Sequence, residues 1–398
     1  MENDSPLRVL LVTEGSGGHL IPALQVASSL AKTGARVKLW YAERGHTASL
    51  AGALTQEATA AFVDVDSIPM GSLSTLFGRL WRCGQLWHKA QHCFDSFSPD
   101  VVVGFGGWVS APVVLAARAQ HIGCLLHEQN VVMGRANRLL TPWVDRVAVS
   151  FHDTQAMLNG ASTVVTGMPV REEIGRASRS QSAQRFGFSP NRPTLLILGG
   201  SQGSRAINRL MTRVVALWSP EERETWQVLH VTGPTDEALV KQAYAACGIR
   251  AWTAPFLVEM EEAYAQADLA IARAGSSTIA ELARCGLPAI LIPYPYAGGH
   301  QRANAQLVEA VGGGLMIEED EASPERLLGA VRRILSDQRL RIIMGAQLRA
   351  LSCPDAAARL TRAIVELAHA RLHRCIQPDP VPPSVVLKPE SACHVTSN

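Results

Sequence analysis

Three times along the chain, a run of large apolar residues leads directly into a glycine-rich loop and then into a segment with helical periodicity. The three loops are Glu14–His19, Gly104–Gly107 and Gly199–Ser204. Short apolar runs of this kind are typical of strands that are buried on both faces of a parallel sheet. The repeated plan of strand, glycine loop and helix therefore predicts an α/β protein with Rossmann-like halves.

The length of the chain predicts two domains. Its 398 residues exceed the size at which a single hydrophobic core stops growing. We place an N-terminal domain at 1–168 and a C-terminal domain at 169–351, with the crossover at Gly167–Arg171 and a polar linker at Gly175–Pro193. The segment 374–398 contains five prolines and is expected to be a disordered tail.

Composition excludes several classes of protein. The chain is 47% apolar and 18% charged, which is ordinary for a soluble globular protein, and its net charge of +2 does not indicate a nucleic-acid partner. The eight cysteines are scattered without a CxxC pair, which argues against a zinc site or a disulfide framework and for a reducing compartment. The N-terminal apolar run is too short for a secretory signal.

Two local patterns are rejected. Val101–Ala117 carries no charge, but glycines and Pro112 interrupt it, and it is shorter than the roughly 20 residues of a spanning helix. We read it as strand, glycine loop and helix. Asp64 and Asp66 form a DxD pair of the kind that holds a metal in some glycosyltransferases. Two acidic residues closing a strand are a much better explanation of so short a pattern, and a metal site is rejected.

The glycine loops restrict the ligands that the strand ends can bind. The first loop has Leu20 where the dinucleotide fingerprint needs glycine, so an NAD site is excluded, while a phosphate-binding loop and a plain tight turn both remain open. The third loop lacks the lysine of a P-loop, so ATP hydrolysis is not indicated. A further strand ends in the polar run His127–Asn130, at the sheet edge where ligands bind in parallel α/β folds.

The segment Arg273–Asn304 combines three features that suit a sugar nucleotide. A Gly-Ser-Ser-Thr turn opens a helix whose N–H groups can bind phosphate. Glu281 lies within that helix and can accept hydrogen bonds from ribose hydroxyls. Gln301 follows the next strand and can bond sugar hydroxyls.

The segment Ser67–His92 is rich in apolar and cationic residues and has no acidic residue. It can be an amphipathic helix packed on its own domain, or a surface where aromatic residues meet lipid headgroups and cations meet anionic lipid. The residues of this candidate membrane patch are Leu73, Leu76, Phe77, Trp81, Trp87, Arg79, Arg82 and Lys89.

Six motifs in this order resemble those of the MurG family of N-acetylglucosamine transferases. They are EGSGGHLIPALQVA, GFGGWVSAP, HEQNVVMGRANRLL, TGMPVR, GGSQGSRAIN, and ARAGSSTIAELARCGLPAILIPYPY with HQRANA. The resemblance covers about residues 7–370. It implies a GT-B fold, in which two Rossmann-like domains face each other across a cleft, with a last helix at about 352–373 returning to the first domain.

The resemblance also implies an activity. Members of this family pass N-acetylglucosamine from UDP to the muramyl 4-hydroxyl of lipid I, with inversion and without a metal or other cofactor, and so make lipid II for peptidoglycan. This predicts a role in cell-wall synthesis, cell shape and division. The expected partners are UDP-N-acetylglucosamine, lipid I, an anionic membrane surface and other cell-wall synthesis proteins. The expected location is peripheral, at the cytoplasmic face of the cell membrane.

The family's site residues carry over position by position. In the donor site, Ser201 would contact the diphosphate, Leu257 would line the uracil pocket, Glu281 would hold the ribose and Gln301 the sugar. Ser276, Ser277 and Thr278 would cap the phosphate-binding helix. The other residues that match donor positions are Ser16, Gly17, Gly18, Asn130, Arg171, Ile279 and Ala280. The acceptor diphosphate would lie on the first two glycine loops, at Gly15, Gly104, Gly106 and Gly107.

The general base stays open between two residues. His19 titrates in the right range and is the first candidate, although it could instead bond the loop or a phosphate. Glu128 is the second, although it could instead fix its loop through backbone N–H groups. Three departures from the family pattern, Glu14, Met168 and Trp108, put the affinity for the acceptor in question.

Two other functions remain as alternatives. One is a related UDP-sugar transferase that acts on another lipid, such as diacylglycerol. The other is a non-catalytic protein that binds UDP-N-acetylglucosamine without turning it over.

Overall fold

The computed structural model describes residues 5–43, 63–69, 76–158, 160–200, 202–296 and 298–376. In the first half, seven strands form one parallel sheet. They are β1 (Arg8–Glu14), β2 (Arg36–Glu43), β3 (Val63–Pro69), β4 (Val101–Gly104), β5 (Gly123–Glu128), β6 (Arg146–Val149) and β7 (Thr163–Val165). Their order is β3-β2-β1-β4-β5-β6-β7. The strands β2 and β3 are added on one side of β1 and the strands from β4 onward on the other, so the topological switch point lies between β1 and β4. The glycine loops after β1 and β4 lie side by side at this point.

Helices cover both faces of this sheet, which explains why its central strands β1, β4 and β5 are buried almost throughout. The helices are α1 (Gly17–Lys32), α2 (Leu76–Phe97), α3 (Ser110–Ala119), α4 (Arg135–Leu140) and α5 (His152–Ala156), with a 3₁₀ turn at Thr141–Trp143. One core joins α1 to the sheet, and another joins α2 and α3 to its other face. The segment Val101–Ala117 is thus strand, loop and helix, as predicted.

The second half repeats this plan with a six-stranded parallel sheet. Its strands are β8 (Thr194–Leu198), β9 (Gln227–Val231), β10 (Ala251–Ala254), β11 (Leu269–Ala272), β12 (Ala289–Leu291) and β13 (Gly314–Met316). Their order is β10-β9-β8-β11-β12-β13. Its helices are α6 (Arg179–Phe186), α7 (Arg205–Ala216), α8 (Pro220–Thr225), α9 (Glu237–Ala246), α10 (Met260–Gln266), α11 (Ser276–Cys285), α12 (His300–Ala310), α13 (Pro324–Leu335) and α14 (Gln338–Arg349).

The last helix, α15 (Ala356–Ile376), leaves the second half and packs on the first. Leu360, Ile364 and Leu367 are buried in the core shared with α1 and the first sheet. Thr361 Oγ1 also donates to Ser29 Oγ on α1, at 2.9 Å. The chain therefore crosses twice between its halves, which limits how far they can separate.

The predicted linker is wrong in part. Within Gly175–Pro193, residues Arg179–Phe186 form α6, in which Ala183 and Phe186 are buried and Phe186 joins the core of the second half. The spacing of these two apolar residues is helical, but the abundance of Arg, Ser and Gln obscured it. The tail predicted at 374–398 lies outside the described residues from residue 377 onward.

The arrangement of the two sheets confirms the predicted fold class. Each sheet is parallel and covered by helices, and the carboxyl ends of both sheets meet across a cleft. This is the GT-B arrangement of two Rossmann-like domains.

Candidate active site

A cavity of about 400 Å³ lies between the two halves, at the carboxyl ends of both sheets. Parallel α/β sheets place ligand sites at this edge because loops from several strands converge there. The first half contributes the glycine loop after β1, with Asn130 and the crossover residue Arg171. The second half contributes the remaining lining residues: Leu198, Gly199, Gly200, Val231, Phe256, Leu257, Val258, Met260, Tyr264, Gly275, Ser276, Ser277, Thr278, Glu281, His300 and Gln301.

Two helix N-termini from opposite halves meet in this cavity. Helix α1 begins at Gly17 and α11 begins at Ser276, and Ser277 Oγ donates to the backbone oxygen of Gly18 at 3.4 Å. The N-cap residues, Ser16 and Gly275, make no side-chain cap hydrogen bond. Both ends therefore present backbone N–H groups and the positive ends of their dipoles to the same space, which favours an anionic ligand.

Ser276, Ser277 and Thr278, which were predicted to cap this helix at the phosphates, are not its N-cap residue. Helix α11 already begins at Ser276, so these three residues form its first turn, and Gly275 is the N-cap. The backbone of Gly275 is extended, with φ −67° and ψ 142°, and it has no side chain to fill the end of the helix. The space in front of the first turn thus remains available for a ligand.

Glu281 is a buried carboxylate in the wall of the cavity. Its residue is 7% exposed, and Tyr264, itself 3% exposed, donates its hydroxyl proton to Glu281 Oε2 at 2.7 Å. Burial raises the pKa of Glu281, while the charge of Arg171 and the Tyr264 hydrogen bond act in the opposite direction. The carboxylate is consequently a strong acceptor held in one orientation by a neighbouring donor.

Arg171 links the crossover to the loop that forms one end of the cavity. Its Nη1 donates to the backbone oxygen of Val258 at 2.7 Å, and its Nη2 lies 4.0 Å from Glu261 Oε2. Leu257, next to Val258, is 5% exposed and belongs to the core of the second half. The guanidinium therefore holds this loop in place while contributing positive charge to the cavity.

Contacts around Asn304 fasten the two halves together beside the cavity. Asn304 is fully buried on α12, and its Oδ1 accepts from Val131 N at 2.9 Å. Its Nδ2 donates to Asn130 Oδ1 at 3.0 Å and to the backbone oxygen of Ala274 at 3.1 Å. Asn130 and Ala274 come from opposite halves. The side-chain amide of Asn304 therefore fixes the two walls of the cavity relative to each other.

His19 lies on the first turn of α1, beside both glycine loops of the first half. Its Nδ1 is 2.8 Å from Ser16 Oγ. A methyl group added at Gly106 would lie 3.4 Å from His19 Nε2, so the ring rests against the second glycine loop. The imidazole thus lines the cavity on one side and reaches the neighbouring loop on the other.

Comparisons with known proteins agree with this geometry. The model of the glycosyltransferase family 28 N-terminal domain matches residues 9–149, and that of the family 28 C-terminal domain matches residues 194–360. A UDP-N-acetylglucosamine–N-acetylmuramyl-(pentapeptide) pyrophosphoryl-undecaprenol N-acetylglucosamine transferase from Mesorhizobium japonicum is 37% identical over 362 residues, covering 89% of this chain and 95% of the relative. The transferase of the same name from Frankia casuarinae is 38% identical over 378 residues, covering 91% and 96%.

A crystal structure of MurG from Acinetobacter baumannii superposes with a TM-score of 0.70 at 25% identity, covering 91% of this chain and 100% of that one. The chain belongs to the MurG family. It is a glycosyltransferase with the GT-B fold. A UDP-GlcNAc 2-epimerase from Neisseria meningitidis, solved with UDP-GlcNAc, shares the fold alone, at 12% identity and a TM-score of 0.66.

Most donor positions carried over from the MurG family line the cavity. Ser16, Gly17, Gly18, Asn130, Arg171, Leu257, Ser276, Ser277, Thr278, Glu281 and Gln301 all do so. Ile279 and Ala280 are not among the lining residues, because Ile279 is buried in the core and its N–H donates to the Gly275 oxygen within the helix. Ser201 lies outside the described residues, although its neighbour Gly200 lines the cavity.

The polar run His127–Asn130 differs from its predicted role, because only Asn130 faces the cavity. His127, Glu128 and Gln129 are each at most 1% exposed. Burial lowers the pKa of His127 to about 4, so this histidine is neutral. Gln129 Nε2 donates to the backbone oxygen of Phe105 at 2.8 Å, which ties this strand end to the second glycine loop. The run is mainly an internal scaffold for the loops.

Glu128 is saturated with hydrogen-bond donors. Its Oε1 accepts from the backbone N and Nδ2 of Asn130, at 2.9 and 3.2 Å. Its Oε2 accepts from Gly134 N at 3.0 Å and from Asn137 Nδ2 at 2.8 Å. The sequence left two roles open for Glu128. These hydrogen bonds favour the role of fixing the loop and disfavour the role of general base.

The four glycines assigned to the acceptor diphosphate are not among the lining residues of the cavity. Gly15 and Gly104 are buried, and an added methyl group would meet the Ala42 oxygen at 2.2 Å and Leu126 at 3.0 Å, respectively. These two glycines allow close packing. Gly106 and Gly107, with φ of +89° and +81°, form the turn of the second loop next to His19.

The acidic pair Asp64 and Asp66 has ordinary partners. Asp64 forms an ion pair with Lys38 at 3.0 Å, and Asp66 accepts from Trp40 Nε1 at 3.1 Å. Among the described residues, no group of three or more His, Cys, Asp or Glu side chains is arranged to hold a metal ion.

The residues of the candidate membrane patch differ in their exposure to solvent. Leu73 lies outside the described residues, while Leu76, Phe77 and Arg79 lie in the first turns of α2. Trp81 is 63% exposed, whereas Trp87 is half-buried against the core of the first half. Arg82 is half-buried, and Lys89 Nζ lies over the Trp40 ring, 4.8 Å from its centre.

Further exposed apolar residues lie on neighbouring elements of the first half. Trp108 is 57%, Leu139 is 64% and Trp143 is 55% exposed. Helix α2 packs on α3, which follows Trp108, and α3 packs on α4, which carries Leu139. In the part of the chain that the structure describes, no helix is long and apolar enough to cross a membrane.

Sequence reasoning missed Tyr264 and Asn304 as site residues. Each side chain acts through a partner far along the chain, Glu281 for Tyr264 and Val131 for Asn304. A polar residue placed among apolar helix positions was the available signal, and for Asn304 it was present in the HQRANA motif.

Proposed function

We propose that this protein transfers N-acetylglucosamine from UDP-N-acetylglucosamine to the muramyl 4-hydroxyl of lipid I, with inversion, and so produces lipid II for peptidoglycan. The observation that carries the proposal is the meeting of two helix N-termini from opposite halves beside the buried Glu281. One end of such a cavity suits a diphosphate and the other suits a ribose. The names of the relatives supply the same donor and acceptor.

The donor binds mainly to the second half. Its diphosphate lies before the first turn of α11, where N–H groups of Ser276–Thr278 and the third glycine loop are available. Its ribose hydroxyls donate to Glu281, which is oriented by the hydrogen bond from the Tyr264 hydroxyl. Its uracil lies by Leu257, whose loop Arg171 anchors.

The sugar of the donor extends toward α12. Gln301 lines the cavity at the start of this helix, and its Oε1 accepts from Tyr294 N at 2.9 Å. That hydrogen bond orients the side-chain amide so that its nitrogen is directed away from the backbone of Tyr294. Gln301 Nε2 is consequently placed to donate to a hydroxyl of N-acetylglucosamine.

His19 serves as the general base. The acceptor hydroxyl attacks the anomeric carbon of the donor from the face opposite UDP, the carbon–oxygen bond to UDP breaks, and the hydroxyl proton passes to the imidazole. Ser16 fixes the ring through Nδ1, which directs Nε2 toward the second glycine loop. Negative charge gathers on UDP during this step and is stabilised by the N-termini of α1 and α11 and by Arg171.

The acceptor approaches from the first half. Its diphosphate lies at the second glycine loop, Gly104–Gly107, beside His19. The exposed residues Trp81, Trp108, Leu139 and Trp143 rest at the interface of an anionic membrane, with Arg82 and Lys89 near its headgroups. The protein thus acts as a peripheral enzyme at the cytoplasmic face of the cell membrane, where it meets other cell-wall synthesis proteins.

A turnover assay with radiolabelled UDP-N-acetylglucosamine tests this proposal. We expect the label to enter a lipid product when a lipid I analogue is supplied, and not when diacylglycerol is supplied. Label in glycosylated diacylglycerol would identify the related lipid transferase instead. Binding of the donor without turnover of either lipid would identify a non-catalytic binding protein.

A further inference from the structure

Glu14 is a carboxylate placed against the second glycine loop. It is the last residue of β1 and is 9% exposed. A methyl group added at Gly107 would lie 2.0 Å from Glu14 Cγ and 2.6 Å from its Oε1. Trp108 N donates to the same Oε1 at 3.3 Å. The side chain therefore lies directly on the turn of the loop.

The backbone of this loop is shaped to receive an anion. Gly106 and Gly107 both have left-handed backbones, with φ of +89° and +81°, and α3 begins three residues later at Ser110. Successive backbone N–H groups at a turn can form a concave site for negatively charged oxygen, and here Trp108 N donates to a carboxylate oxygen. In this structure the oxygen in contact with the loop belongs to the protein itself.

The requirement for glycine at position 107 also indicates that the loop and the Glu14 carboxylate are in close contact. The left-handed φ alone disfavours a side chain here, and the contact with Glu14 leaves no room for one. The loop and the carboxylate are thus fitted to each other. An incoming diphosphate cannot use the Trp108 N–H while Glu14 Oε1 accepts from it, and two anions at this distance repel each other.

We propose that Glu14 is an internal competitor for the acceptor diphosphate and sets the affinity of the enzyme for lipid-linked diphosphates. This inference rests on the proposed function, which places that diphosphate at Gly104–Gly107. Lipid I binds as Glu14 turns away from Trp108 N. The product carries the same diphosphate, so the return of the carboxylate to the loop also favours release of lipid II.

Binding of a soluble prenyl diphosphate tests the inference without relying on turnover. Geranyl diphosphate is titrated calorimetrically into the full-length protein with saturating UDP present, so that the donor site is filled. Glu14→Ala removes the competitor, and Glu14→Gln keeps its shape while removing its charge. Glu43→Gln is the matched control, because it removes a carboxylate from the end of the adjacent strand β2.

We expect Glu14→Ala to bind geranyl diphosphate about tenfold more tightly than the wild type, and Glu14→Gln about threefold more tightly. Glu43→Gln should bind as the wild type does. If Glu14 only supports the loop, both Glu14 variants will bind equally or more weakly, and the inference is overturned. If Glu14→Ala does not fold, binding of geranyl diphosphate by Glu14→Gln tests the inference by itself.

Turnover separates this inference from the proposed function. With a lipid I analogue, both Glu14 variants should show a lower acceptor KM and an unchanged KM for UDP-N-acetylglucosamine. Absence of turnover in the wild type would count against the proposed function, while tighter binding of geranyl diphosphate by the variants would still support competition at the loop.

Discussion

Replacing Tyr264 by phenylalanine should weaken donor binding through its effect on Glu281. The Tyr264 hydroxyl donates to Glu281 Oε2 at 2.7 Å, and both residues are buried. The substitution removes one oxygen atom and leaves the ring in place. Glu281 then keeps its buried position but loses the neutral donor that stabilises its ionised form.

The expected size of this effect follows from the type of hydrogen bond. A hydrogen bond to a charged group contributes about 1.5–3 kcal/mol, which corresponds to roughly 10- to 150-fold in affinity. The Tyr264 hydrogen bond lowers the pKa of Glu281 against the upward effect of burial. Its loss should therefore raise that pKa, since one pKa unit corresponds to about 1.4 kcal/mol.

The assay is the KM for UDP-N-acetylglucosamine measured across pH. Because an ionised carboxylate accepts hydrogen bonds from ribose hydroxyls more strongly than a protonated one, the donor KM should rise as pH falls through the pKa of Glu281. In Tyr264→Phe this rise should begin at higher pH, and the donor KM near neutral pH should increase about tenfold. The acceptor KM should not change.

Two controls isolate the interaction. Tyr244→Phe removes another buried hydroxyl of the second half, which bonds His230 Nδ1 at 2.8 Å away from the cavity. It should leave the donor KM unchanged. In a Glu281→Gln background, Tyr264→Phe should have less than a twofold further effect if the two act as a pair. A donor KM in Tyr264→Phe equal to that of Tyr244→Phe would refute the reasoning.

Three further predictions concern the base, the junction between the halves and the membrane. His19→Ala should reduce turnover about a hundredfold or more at unchanged donor KM, and near-normal turnover would rule out its role as base. Asn304→Leu should lower the free energy of unfolding by about 1–3 kcal/mol in urea, because Val131 N loses its buried acceptor, whereas exposed Asn191→Leu should not. Trp81→Glu with Trp143→Glu should abolish pelleting with anionic vesicles, whereas Leu217→Glu, at an exposed apolar site of the second half, should not; unchanged pelleting would exclude this surface.

Much of the fold could be predicted because parallel strands and their loops leave strong local signals. Each of the three predicted glycine loops follows a strand, at β1, β4 and β8, and Val101–Ala117 is strand, loop and helix as predicted. The short strand β13 leaves no such local signal. Gly314–Met316 has only three residues, and its pairing with β12 is what makes it a strand.

The amino-acid sequence by itself determined the two-sheet architecture, the family and most of the residues that line the cleft. Apolar runs followed by glycine loops can fold in few other ways, and the positions of the helix N-termini follow from that local order. These features depend on neighbours along the chain, which the sequence displays directly.

Only the tertiary structure decided which of the polar residues face the ligand and which face each other. Glu128 turns inward because the donors of Asn130, Gly134 and Asn137 converge on it. Tyr264 meets Glu281, and Glu14 meets the loop at Gly107, across long separations in sequence. Such pairings arise from the packing of whole strands and helices, because a side chain's direction and its distant partner are set only when the two sheets and their loops come together.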